Sequence, residues 1–189
     1  AASGPVISDV TADGLDDVVW GDFGATLRAH SFAGVVAGFP RTVGPAAPLQ
    51  GVLLFRDSML NDDVVTFSLN ANLFRHAVHG SGVDGWPIQG SSAPLLEGVA
   101  ACQLAGDALL EVAGVIQQAG ALHVAAWDRA GALLPGFPTE TTVGTSAFPP
   151  TCVDLDGDGQ DELVYAETAG LLHVFAADGT VRAGFPVNV

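Results

Sequence analysis

Asp154-Leu155-Asp156-Gly157-Asp158-Gly159-Gln160-Asp161-Glu162, followed directly by Leu163-Val164-Tyr165-Ala166, is the stretch on which the reading of this chain turns. Carboxylates at alternate positions 154, 156 and 158 can converge on one point if the backbone turns tightly between them. Gly157 and Gly159 permit that turn, because glycine reaches positive φ without steric cost. A set of oxygen donors with no Cys or His suits a hard cation, and six to eight oxygens suit calcium better than magnesium. The alternative is a solvated Asp/Gly turn between two strands. The residues after the loop are β-branched and apolar, which predicts a strand.

A loop of this kind gains meaning if it recurs, and the chain carries an internal repeat. Gly-aromatic-Pro occurs at Gly38-Phe39-Pro40, Gly85-Trp86-Pro87, Gly136-Phe137-Pro138 and Gly184-Phe185-Pro186, with the aromatics 47, 51 and 48 residues apart. An acidic residue opens an apolar run ahead of each, at Asp17, Asp63, Glu111 and Glu162, spaced 46, 48 and 51. A period near 48 made of short strands predicts one four-stranded propeller blade per repeat. The expected fold is therefore all-β: four antiparallel four-stranded blades in one propeller-type domain or segment over 1–189, with repeats 1–42, 43–90, 91–140 and 141–189.

Within the first repeat, strands are expected at Pro5 to Ser8, Val18 to Trp20, Thr26 to His30 and Val35 to Pro40, with the proline on the outer edge strand. In the third repeat, Ala108 to Trp127 has helical propensity, but the period overrules it and predicts two strands around Ala119-Gly120.

The acidic loop resembles the start of an EF-hand loop, except that its closing acid falls at the ninth position and a strand follows. It is similar to the calcium loop of FG-GAP (integrin-α-like) and VCBS repeats, which are propeller blades. That resemblance spans all four repeats and is most specific in the last. It implies Ca2+ bound by the side chains of Asp154, Asp156, Asp158 and Glu162 and by the backbone carbonyl of Gln160, with Asp161 facing elsewhere.

In the first loop the matching positions are Asp9, Thr11, Asp13, Leu15 (through its backbone) and Asp17. One carboxylate fewer predicts weaker binding there. The second loop offers Phe55, Asp57, Met59 and Asp63, and the third Gln103, Ala105, Asp107 and Glu111; both are too poor in oxygens for a calcium site.

The chain has a net charge of −15, with six arginines and no lysine. Such a surface repels phosphate backbones and anionic lipid, so nucleic acid and membrane insertion are not expected. Without a starting methionine, the sequence reads as a processed or excised segment of a longer product. Arg28, Arg75, His123 and His173 are read as matching polar places on the third strands. Cys102 and Cys152 sit just ahead of their loops on inner strands and are expected as buried free thiols. A disulfide would require blades to converge well inside the usual 10 Å sheet spacing.

No nucleophile elbow, zinc motif or phosphate loop is present. The expectation is a non-catalytic, calcium-stabilised, extracellular recognition or adhesion module. Its partner would be another protein or further propeller blades, from the same parent chain, a second copy or another chain. A carbohydrate-binding propeller lectin, which would take a glycan, is the alternative, and a propeller enzyme the third.

Overall fold

The computed structural model describes residues 4–43, 49–56, 62–68, 72–77, 86, 88–89, 95–141 and 148–189. Among these the chain is all-β, in four antiparallel sheets. The first holds β1 (Val6–Ser8), β2 (Asp17–Gly21), β3 (Thr26–Ser31) and β4 (Gly34–Val35), with β5 (Arg41–Thr42) also on β3. The second is β6 (Leu49–Arg56), β7 (Asp62–Ser68), β8 (Asn72–Ala77) and β9 (Ile88–Gln89). The third is β10 (Leu95–Cys102), β11 (Glu111–Gln118), β12 (Ala121–Trp127) and β13 (Thr139–Glu140), and the fourth is β14 (Thr151–Val153), β15 (Glu162–Ala166), β16 (Leu171–Phe175) and β17 (Val187–Asn188). Each runs in sequence order, the meander that short connections enforce.

Two compact units result, one with the first two sheets and one with the last two. In the first unit, period-two alternation turns Val19, Leu27 and Ala29 inward against Val10, Phe39 and Leu49. In the second, Ala113, Val115, Leu122 and Val124 of the third sheet pack on Leu163, Tyr165 and Phe175 of the fourth. The helix-prone run of the third repeat is strand, because β11 and β12 pair residue for residue from Val112↔Trp127 to Gln118↔Ala121.

Three expectations are corrected. First, the Gly-aromatic-Pro tripeptide is a turn rather than part of the outer strand. The Phe39, Phe137 and Phe185 amides donate to carbonyls three residues back, and the following X-Pro bonds are cis. Strands β5, β13 and β17 begin only after the proline, while in the first sheet β4 (Gly34–Val35) already ends ahead of it. A proline ahead of the strand costs no ladder bond at all.

Second, Cys102 and Cys152 form a disulfide, with Cα atoms 5.4 Å apart. The inner strands β10 and β14 do converge where the sequence argument required it. The join is reinforced next door, where Asp161 donates its amide to Gln103 O (2.7 Å) and accepts from Gln103 N at Oδ2 (2.8 Å).

Third, the four basic residues of the third strands are not equivalent. Arg28 faces Trp20 and His173 faces Tyr165, three residues into the second strand, whereas Arg75 faces Val65 and His123 faces Ile116.

Candidate metal centre

Three acidic loops share one backbone design, and its cause lies in their buried final carboxylate. Asp17 accepts the amides of Val10 and Thr11 at 3.0 Å, Glu111 those of Leu104 (2.8 Å) and Ala105 (3.0 Å), and Glu162 that of Leu155 (2.8 Å). The first position closes the other end. Asp9 accepts from Asp13 and Gly14, Gln103 from Gly106, and Asp154 from Gly157 (2.6 Å) and Gly159 (3.0 Å). The fifth position then accepts the amide two residues on: Asp13 from Leu15, Asp107 from Leu109, Asp158 from Gln160. A side chain that bonds its own backbone two residues ahead is an Asx turn. Polar residues at positions one, five and nine are thus needed by the turn itself, with or without an ion.

The fourth loop goes further than the others. Carboxylate oxygens of Asp154, Asp156 and Glu162 lie within 4.8 Å of one another and could hold a metal ion. Asp158, expected beside them, is not in this group, and its Oδ1 is turned to the Gln160 amide at 2.8 Å. The Gln160 side chain packs on Gly106 of the third loop, in a groove of about 220 Å3 with Leu134, Pro135 and Asp178 among its walls. Asp161 faces away from the loop, as the resemblance implied. The donors gathered are all hard oxygen, the chemistry a divalent group-two cation takes.

Sequence reasoning missed Arg182. Its Nη1 donates to Asp156 Oδ2 at 2.7 Å and to Glu162 Oε1 at 2.8 Å. This hydrogen bond holds the Asp156 carboxyl below its ordinary range, and Arg182 is shifted up in return. Position 182 lies outside the loop motif, 20 residues past Glu162, so spacing alone could not point to it.

The first loop shares this turn but does not gather its carboxylates. Asp9 is held below the usual carboxylate range, chiefly by the Gly14 amide. Thr11 Oγ1 reaches Asp9 Oδ1 at 3.5 Å, and Asp9, Asp13 and Asp17 do not gather as the fourth-loop acids do. Asp17 is fully buried, and its Oδ1 has no hydrogen-bond partner. In the second loop Asp57 and Met59 lie outside the described residues, and Phe55 is half-buried with the Arg75 guanidinium 4.9 Å over its ring. The third loop folds like the others although Gln103 and Ala105 replace two carboxylates.

A separate ionisable cluster lies inside the second unit. His173 Nε2 is 3.0 Å from Glu167 Oε1, both buried, with the imidazole between the Tyr165 and Phe175 rings at 5.8 and 5.9 Å. Burial pushes the Tyr165 hydroxyl well above its ordinary value. Enclosed in the core, these groups serve the packing.

No protein-family model matches the sequence, and neither does any curated protein. Solved structures do match in fold. The chain is similar to one captured in the crystal structure of BBS1N in complex with ARL6DN, with TM-score 0.64, 12% identity, and 100% of this chain aligned to 55% of that one. It is similar to Bacillus licheniformis rhamnogalacturonan lyase PL11, with TM-score 0.63, 12% identity, and 96% of this chain aligned to 41% of that one. A luciferin-regenerating enzyme aligns at TM-score 0.50 and 11% identity, over 100% and 62%. These likenesses give the chain a β-propeller-like all-β fold. It spans about half the length of the first of these structures.

Proposed function

We propose that the chain is a non-catalytic, calcium-stabilised propeller segment of the FG-GAP/VCBS kind, which presents a surface for recognition or adhesion outside the cell. The observation that carries this reading is the convergence of Asp154, Asp156 and Glu162 within 4.8 Å on a loop joining two strands of one blade. An ion there adds strong bonds to a 9-residue loop that, apart from the bonds to the buried Glu162, rests on exposed hydrogen bonds. Asp158 and the Gln160 carbonyl complete the ligand set in this proposal, and the 9–17 loop supplies a second, weaker site.

The disulfide between Cys102 and Cys152 supports an oxidising compartment. A protein partner is supported by the BBS1N complex and by the first sheet itself. Ile7, Val18 and Val35 fall in one row across β1, β2, β3 and β4, with His30 between the two valines, and are 67%, 38% and 59% exposed. A largely apolar row left open on a sheet face fits a further blade or a partner chain.

Counting calcium after equilibrium dialysis tests the ligand assignment. One firmly held ion per chain is expected, with a second at higher calcium. Three or four ions would contradict the ligand assignment, and none would remove calcium from the proposal.

A further inference from the structure

The place occupied by Arg182 can be followed from repeat to repeat through its backbone. Val36, Leu134 and Arg182 each donate their amide to a third-strand carbonyl, of Ala29 (3.1 Å), Ala126 (2.9 Å) and Val174 (2.8 Å) respectively. Each also accepts the amide of the aromatic three residues on, at 3.1 Å. They are one structural position in three blades. Val36 and Leu134 use it to pack on the apolar cores of their units. In the fourth blade it carries an arginine, which places one nitrogen between the third- and ninth-position carboxylates.

The contrast with the first blade shows what this arginine supplies. With Val36 in that place, the second oxygen of the buried ninth-position carboxylate, Asp17 Oδ1, has no partner. The corresponding oxygen in the fourth blade, Glu162 Oε1, is taken by Arg182. A buried carboxylate oxygen without a donor is costly, and a guanidinium removes that cost. It also lowers the net charge of the three-carboxylate cluster from −3 to −2.

Resting on the calcium reading above, we propose that Arg182 is the built-in cation of the 154–162 loop, and that an external divalent cation binds there only by displacing it. Calcium holds its oxygens at about 2.3–2.6 Å. An Nη1 already 2.7 and 2.8 Å from Asp156 Oδ2 and Glu162 Oε1 fills the space such an ion needs. Two positive charges that close repel each other, and each competes for the same lone pairs. Arg182 therefore keeps the loop closed at low calcium and raises the concentration at which calcium takes over. The guanidinium is partly exposed, so it can swing out to solvent without unfolding the blade.

The test is a calorimetric calcium titration of the full chain, as wild type, Arg182→Leu and Arg182→Lys, with melting of each in chelator. Leucine is the residue at the equivalent position 134, so it suits the site sterically. Arg182→Leu is expected to bind calcium at least tenfold more tightly at the fourth loop and to melt lower than wild type in chelator. Arg182→Lys keeps a competing charge and is expected to stay near wild type. Equal or weaker calcium binding by Arg182→Leu overturns the displacement while leaving the calcium site in place. Saturable binding by none of the three overturns both. If Arg182→Leu fails to fold, Arg182→Gln is titrated instead, with the same outcomes.

Discussion

Asp17, Glu111 and Glu162 show how much one carboxylate decides at the residue scale. Each is buried at the start of a second strand and accepts amides from its own loop. Their spacing was legible in the sequence as a repeat marker, and positions one, three, five and nine were legible as oxygen donors. What the spacing could not separate was the ion from the turn, because Asx turns and ligand sets ask for the same residues at positions one, five and nine. Gln103, which closes its loop as Asp154 does, makes that point directly.

Glu111 permits a test. Burial pushes its carboxyl above the ordinary glutamate value against the pull of the Ala105 and Leu104 amides. A raised folded-state value penalises the ionised form, so stability is lost as pH climbs from the ordinary value, 4.5, through the folded one. Glu111→Gln keeps an oxygen acceptor and removes the charge. Its melting temperature relative to wild type should therefore rise between pH 4 and pH 7. A difference that is flat over that range would mean that burial does not penalise the charge.

At the scale of the element, strands and their order were legible because the period overrode local propensity, as in the Ala-rich β11 and β12. Gly-aromatic-Pro was legible as a marker and misplaced as an element. A tripeptide with one proline and one glycine fits either an edge strand or a turn, and only the backbone bonds into it distinguish them. Gly136 adopts φ +86°, and a Cβ there would sit 1.9 Å from the Asp178 carbonyl oxygen in the neighbouring sheet. The disulfide was the less favoured of two readings because ordinary sheet spacing is too wide for it. The inner ends of two strands at 5.4 Å allow it, and convergence at the ends of strands leaves no mark in composition.

At the scale of the molecule, sheets built alike expose unlike faces. The row of Ile7, Val18 and Val35 on the first sheet is broken only by His30, whereas alternation on a solvated sheet face would place polar residues throughout. Association in calcium is expected from it, concentration-dependent by sedimentation and reduced by Val18→Lys. A strictly monomeric chain at all concentrations would contradict a docking role for that face.

Calcium in the fourth loop is tested most directly by melting of wild type and Asp156→Ala, each in calcium and in chelator. An ion at about 100-fold over its Kd stabilises by about 2.7 kcal/mol. For a chain of this length that is roughly 5–10 °C in Tm. Calcium should raise the wild-type Tm by that amount and the variant's much less, while in chelator the two stay close, because the Asp156–Arg182 pair is partly exposed and surface pairs contribute little. The same loss of stability in Asp156→Ala with calcium and without it would contradict the account, and would leave the loop an Asx-rich turn closed by Arg182.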